Sequence, residues 1–229
     1  MIDNIEIKNF KSIENLRIEN LKNVNFFFGR ANTAKTTALE AIYLYLDRNT
    51  KNISYLDHLN HRATKENLNK LINSEELDTL NEYCRKFNDD ISQIMISNNY
   101  IKVIENSKKV DLKFMGQGFQ TYLSYISSIL LKNKFICIDN IETGLHFEHI
   151  DLILRIILEQ SIQNNIQFFI TTHSKELLEK LARMLDENTN FKDKLACFNL
   201  YREDNKIKVC EHKVNGFIVN MEVGNEIRD

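Results

Sequence analysis

The octapeptide Gly29-Arg30-Ala31-Asn32-Thr33-Ala34-Lys35-Thr36 lies between a short apolar run, Val24 to Phe28, and a stretch of helical spacing that begins at Lys35. No other segment constrains the fold as tightly. A strand, a tight loop and a helix in immediate succession aim the loop's backbone N–H groups and the positive end of the helix dipole at one point. That arrangement holds phosphate oxygens. The spacing fits G-x-x-x-x-G-K-[ST], except that Ala34 takes the place of the second glycine. Lys35 is then the cation for the β- and γ-phosphates of a nucleotide and Thr36 the hydroxyl for Mg²⁺. Gly29, Asn32, Thr33, Ala34 and Thr37 complete the loop. If Ala34 adopts a positive φ, its methyl costs about 1–2 kcal/mol, roughly tenfold in affinity, which weakens binding without abolishing it.

The periodicity around this loop alternates between strand and helix. Ile5 to Phe10 and Ile13 to Ile18 are short apolar-rich runs broken by Asn and Lys, so three strands are expected ahead of a helix from Lys35 to Leu46. Phe135 to Ile138 and Gln167 to Thr171 resemble strands buried on both faces, and Phe147 to Gln160 between them has helical spacing. Strand, helix, strand in that order predicts a right-handed crossover and a parallel sheet. Ser174 is placed to cap a helix through Leu185, and a hairpin of Ala196 to Arg202 against Lys206 to His212 turns at Asp204-Asn205. Tyr100 to Ile104 and Val110 to Phe114 flank an Asn106-Ser107 turn, ahead of a helix from Phe119 to Leu131. The polar stretch 48–98, with amphipathic spacing at Leu68, Leu71, Ile72, Leu77 and Leu80, reads as an inserted helical lobe within a single unit spanning 1–229.

Composition narrows the classes of function. At 229 residues and 43% hydrophobic, the chain is long enough for one substantial core. Thirty basic and 32 acidic residues leave a formal charge of −2, so no global field draws the chain to nucleic acid or an anionic membrane. A local basic patch for nucleic acid stays open. No apolar run approaches the roughly 18 residues that signal a membrane-spanning helix, so no membrane partner is expected. Cys84, Cys137, Cys197 and Cys210 are scattered without a Cys-x-x-Cys pair, which predicts reduced thiols in a cytoplasmic protein. His58-x-x-His61 and His146-x-x-His149 lack a third ligand in sequence and are read as solvated or capping histidines.

Two further positions carry chemistry. Asp139 ends the apolar run Phe135 to Ile138, where a parallel sheet following a phosphate loop needs an acid to hold Mg²⁺. His173 ends the run Phe168 to Thr172, just before the capping Ser174, and a neutral imidazole there can hydrogen-bond a terminal phosphate or an attacking water.

Four segments occur in order: Phe10-Lys11-Ser12-Ile13 before the loop, Met115-Gly116-Gln117-Gly118-Phe119, Ile138-Asp139-Asn140-Ile141-Glu142-Thr143-Gly144-Leu145-His146, and Thr171-Thr172-His173-Ser174. With the loop itself they resemble the AAA-type ATP-binding proteins with an ATP-binding-cassette-like head, related to the SMC/Rad50 group and to the overcoming-lysogenisation-defect nucleases. The resemblance covers residues 1–47 and 111–185. It implies an α/β, P-loop NTPase fold with an N-terminal β-subdomain, and ATP and Mg²⁺ as cofactors. It also implies a head-to-head assembly in which the signature Gly116-Gln117-Gly118 of one copy touches the γ-phosphate held by another. The partner is then a second copy, as a homodimer, or a separate effector chain in a hetero-oligomer.

Two departures from the family pattern, in its Walker A and Walker B motifs, bear on catalysis. Ala34 is the first. Asn140 is the second, standing where the family usually has the glutamate that polarises the attacking water; an amide orients water but accepts no proton. Strand geometry would put Glu142 on the same side, one pleat further out. The expectation is an ATP-binding head that uses Mg-ATP for dimerisation or regulation, with slow or absent hydrolysis. Two alternatives stay open: a pseudo-ATPase that acts as an interaction module, and an active ATPase that uses Glu142.

Overall fold

The computed structural model describes residues 1–57, 61–97 and 100–228, apart from the side chains of 61–63. The elements run β1 (Ile5–Phe10), β2 (Ile13–Ile18), β3 (Val24–Phe28), α1 (Lys35–Asn49), β4 (Ile53–Leu56), α2 (His61–Ile72), α3 (Leu77–Phe87), β5 (Ile91–Ser97), β6 (Tyr100–Glu105) and β7 (Lys108–Asp111). They continue with α4 (Gln117–Leu130), β8 (Phe135–Ile138), α5 (Phe147–Gln163), β9 (Gln167–Thr171), α6 (Lys175–Glu187), β10 (Leu195–Glu203), β11 (Lys206–His212) and α7 (Val214–Glu222). Six strands form the central sheet in the order β11-β10-β3-β9-β8-β4, and all its pairings are parallel except β10 with β11. The α/β, parallel-dominated architecture expected from the sequence is the one observed.

The period of two along a strand divides the core between the two faces of this sheet. Phe26, Phe28, Ile136, Ile138, Phe168 and Ile170 point to one face, where α4, α5 and α6 cover them. Phe27, Cys137, Phe169 and Phe198 point to the other, where they meet Ala38, Leu39 and Ile42 of α1 and the β1–β2 hairpin. The rings of Phe27 and Phe198 stack there at 5.5 Å. Burial on both faces is why β3, β8 and β9 read as continuous apolar runs rather than alternating ones. Because β3, β8 and β9 are parallel neighbours in the sheet, their C-terminal ends open at the same edge. Ligands of open α/β sheets bind at that edge.

The stretch 48–98 contains more than helix. It includes β4, which extends the central sheet by pairing with β8, and β5, which opens a separate sheet of order β5-β6-β7. Neither strand was legible: β4 is four residues long at a sheet edge, and the register shift between Ile91 and Gln93 breaks the period of two in β5. Leu68, Leu71 and Leu80 of α2 and α3 join the larger core. The segment expected to continue as strand to Phe114 turns into a 3₁₀ turn at Leu112–Phe114, and α4 starts at Gln117, two residues before the expected Phe119. Both expected hairpin turns form, with positive φ at Asn106, Ser107, Asp204 and Asn205, as two-residue turns that match strand twist require. Among the described residues no helix is long and apolar enough to cross a membrane.

Candidate functional site

The loop between β3 and α1 is built on unusual backbone. Gly29 has φ 145°, and a Cβ there would lie 2.2 Å from the Leu200 carbonyl oxygen, so only glycine lets β3 turn this close to β10. Asn32 and Ala34 both sit in the left-handed region, at φ 61° and 63°. Ala34 is the residue that leads into α1, so the methyl anticipated from the sequence does occupy a strained position. Lys35 is buried, and its ammonium folds back over the loop, donating to the carbonyls of Gly29 at 2.9 Å and Arg30 at 2.7 Å. Burial lowers its pKa; the carboxylates of Glu142 and Asp139 act in the opposite direction and favour the cation.

The parallel register between β8 and β9 brings the rest together. Ile138 pairs with Ile170, so Asp139 emerges beside Thr171. Asp139 Oδ1 accepts from Thr171 Oγ1 at 2.6 Å and from Thr36 Oγ1 at 2.9 Å. Thr36 and Asp139, the two candidate metal ligands, are thus in direct contact although 103 positions separate them. Thr171 is a functional neighbour that the sequence reading missed. It ends an apolar strand, and only the register of the sheet shows what it faces. Its hydroxyl oxygen also accepts the Asn140 N–H at 2.8 Å, which holds Asn140 in its own left-handed conformation at φ 48°.

At the rim, Glu142 Oε1 accepts the His173 backbone N–H at 2.9 Å and lies 2.9 Å from His173 Nδ1. Asn140 Oδ1 is 3.3 Å from the same ring nitrogen. Two acceptor oxygens beside Nδ1 favour the tautomer with its proton there, in which Nε2 is an acceptor. Glu142 Oε2 is buried and has no hydrogen-bond partner among the described residues. Ser174 caps α6 as expected, accepting the Leu177 N–H at 3.1 Å.

A cavity of about 620 Å³ is lined by Asn32, Thr33, Ala34, Lys35, Thr36, Thr37, Asn140 and His173, joined by Ser12, Ala31 and Arg202. Arg202, near the end of β10, had no signal in the sequence, since that strand reads only as half of a hairpin. Gly116 and Gly118 do not line this cavity. They lie at the start of α4, where the Gly116 carbonyl accepts the Gln120 N–H and Gly118 faces the Gly144 carbonyl. Neither His146 nor His149 lines the cavity. His149 stacks on Phe87 at 3.8 Å, His146 sits beside Glu148, and His58 lies outside the described residues, as does the side chain of His61.

The family profile described as "AAA domain, putative AbiEii toxin, Type IV TA system" matches residues 2–179. The chain belongs to this AAA-domain family. A protein of Helicobacter pylori named "ATP/GTP phosphatase" is 32% identical over 145 residues, which is 60% of this chain and 39% of that protein. An uncharacterized protein of Methanocaldococcus jannaschii is 46% identical over 46 residues, 20% of this chain and 21% of that one. The chain therefore spans well under two thirds of the length of these relatives. Among solved structures, an SMC head bound to the C-winged helix domain of ScpA superposes with a TM-score of 0.65 at 12% identity, covering 92% of this chain and 97% of that one. The SMC head domain of Thermotoga maritima gives 0.58 at 11% identity, covering 92% and 98%. Likeness at such identity shows the fold, and the fold of this AAA-family chain is the P-loop NTPase fold of an SMC head.

Proposed function

We propose that this chain binds Mg-ATP in the cavity between the β3–α1 loop and His173, uses it for dimerisation or regulation, and hydrolyses it slowly or not at all. The observation that carries the reading is the contact of Thr36 with Asp139 at the end of a phosphate loop whose lysine is buried within it. The cavity is within the usual range for a small-molecule ligand, roughly 300–1,000 Å³. Loop N–H groups and Lys35 would take the β- and γ-phosphates, with Gly29 setting the turn and Asn32, Thr33, Ala34 and Thr37 shaping the cradle. Thr36 and Asp139 offer a hydroxyl and a carboxylate, the hard oxygen donors that suit Mg²⁺. Bound there, Mg²⁺ would neutralise charge on the phosphates.

His173, with Nε2 as an acceptor, would meet a γ-phosphate through a bridging water that donates to both. Asn140 lines the cavity beside His173 but has no basicity, which is the reason for assigning slow turnover. The name of the Helicobacter pylori relative supports nucleotide hydrolysis as the class of chemistry. An active ATPase that uses Glu142 is the second reading, favoured by the buried Oε2 of that residue, which has no hydrogen-bond partner among the described residues.

For assembly, Gly116 has open space where a side chain would go and an ordinary negative φ, so nothing among the described residues requires glycine there. Close approach by a second copy or an effector chain, with its phosphates against the start of α4, would require it. Thermal melting with Mg-ATP tests binding: ligand at a hundred times its Kd adds about 2.7 kcal/mol of stability. Light scattering with and without nucleotide tests assembly, and an unchanged melt together with unchanged mass would leave only the pseudo-ATPase alternative.

A further inference from the structure

The segment 224–228, which follows α7, returns to the loop edge of the sheet. Ile227 is 7% exposed and belongs to the larger core, so its neighbour Arg228 is held in a fixed place. The Arg228 carbonyl accepts the Arg30 N–H at 3.2 Å, and its guanidinium Nη1 donates to the His173 carbonyl at 2.7 Å. Nε and Nη2 of the same side chain bond the two carboxylate oxygens of Glu226 at 2.7 and 2.5 Å. That fork aims the guanidinium, and it holds the Glu226 carboxyl down at about 2.

Arg30 follows β3 and His173 follows β9, which are neighbours in the sheet. Their pairing ends at Phe27 with Thr171, and Thr172 N–H donates to the Phe27 carbonyl at 3.0 Å; Arg30 and His173 lie beyond that bond. Arg228 joins the two segments through one backbone group on each side. We propose that Arg228 is a positioning residue: it fixes the distance between the phosphate loop and His173, so that His173 can distinguish a triphosphate from a diphosphate. The inference rests on the reading of the cavity as an ATP site. Arg228 acts through the backbones of Arg30 and His173 and need not touch the nucleotide.

The test compares Kd for ADP with Kd for a non-hydrolysable ATP analogue, both with Mg²⁺, by titration calorimetry on the wild type and on Arg228→Ala and Arg228→Lys. The wild type should prefer the triphosphate. Arg228→Ala should lose about five- to tenfold of that preference, the size expected for one ordinary net hydrogen bond, with ADP affinity changed by less than about twofold. Arg228→Lys keeps the charge but has no planar fork to join Glu226 to the His173 carbonyl, so it should behave like the alanine variant. An unchanged preference, an equal loss for both nucleotides, or full recovery with lysine overturns the proposal. If Arg228→Ala melts too low to titrate, Glu226→Gln loosens the same guanidinium, and a retained preference in that variant is equally fatal. A wild type that binds neither nucleotide removes the ATP reading and this inference together, whereas normal binding with an unaltered ratio in the variants removes only the inference.

Discussion

Glu142 Oε1 lies 2.9 Å from His173 Nδ1 and accepts the His173 backbone N–H at the same distance. One carboxylate oxygen thus fixes both the main chain and the ring of the residue at the cavity rim. Removing it frees the imidazole to turn. Glu142→Ala should therefore weaken binding of an ATP analogue by about fivefold, in line with the loss of one ordinary net hydrogen bond, and leave ADP binding nearly unchanged. Competition binding against a fluorescent nucleotide measures both. Equal effects on the two nucleotides would mean that His173 does not read the terminal phosphate.

Lys35 supplies the buried ammonium of the loop, already held by the Gly29 and Arg30 carbonyls. Several charge-assisted hydrogen bonds to phosphate are lost in Lys35→Ala, each worth about 1.5–3 kcal/mol, so nucleotide affinity should fall by at least about a hundredfold. Equilibrium binding decides the point. An unchanged Kd in the variant would place the nucleotide somewhere other than this loop.

Much of this arrangement was legible in the sequence. The loop, Asp139 and His173 each end an apolar run, and such runs identify buried parallel strands whatever the rest of the chain does. What could not be read is what lies beside what. Thr171 meets Asp139 because of the β8–β9 register, Arg202 arrives on a strand that crosses from the far end of the chain, and Arg228 sits in a segment with no periodicity at all. The φ of Ala34 was also beyond reach, since sequence gives the residue and its place in the motif but not the backbone angle it accepts.

Backbone conformation gives opposite expectations for two positions in the same loop. Ala34, at φ 63°, carries a left-handed penalty of about 1 kcal/mol that glycine would relieve. Ala34→Gly should be neutral to stabilising by up to that amount and should tighten nucleotide binding by at most about tenfold. Gly29→Ala would drive a methyl to 2.2 Å from the Leu200 carbonyl oxygen at φ 145°, and should destabilise by more than about 3 kcal/mol. Urea midpoints at constant m-value report both. A Gly29→Ala variant as stable as the parent would show that β3 and β10 can part without cost.

Stability should also depend on acid. His212 is half-buried, with its ring 5.5 Å from that of Phe28, and burial lowers its pKa; His149, stacked on Phe87, is lowered in the same way. A histidine whose folded pKa is depressed contributes fully above its unfolded value of roughly 6.5. Below that, the unfolded chain takes up the proton first, so stability falls as pH drops toward the folded pKa. Urea unfolding between about pH 7.5 and 5 should show this decline, reduced in His212→Gln and further reduced when His149→Gln is added. If the double variant declines as steeply as the parent, other groups carry the acid sensitivity.

The slow hydrolysis proposed for this chain turns on Asn140. Its backbone is left-handed, at φ 48°, where asparagine is better tolerated than glutamate, so Asn140→Glu costs roughly 1 kcal/mol of stability. Against that, a carboxylate at the reacting end adds general-base assistance, typically about 10²–10⁴-fold. Asn140→Glu should therefore raise ATP turnover by a large part of that range while ATP affinity stays nearly the same, a change confined to the transition state. Single-turnover rates and Kd, measured together, separate the two quantities. Glu142→Gln should then matter little in the Asn140→Glu background, because Glu142 Oε1 is engaged with His173 rather than with water. Brisk hydrolysis by the wild type, lost in Glu142→Gln, would instead make Glu142 the base, and the description of this chain as a weakened ATPase would be wrong.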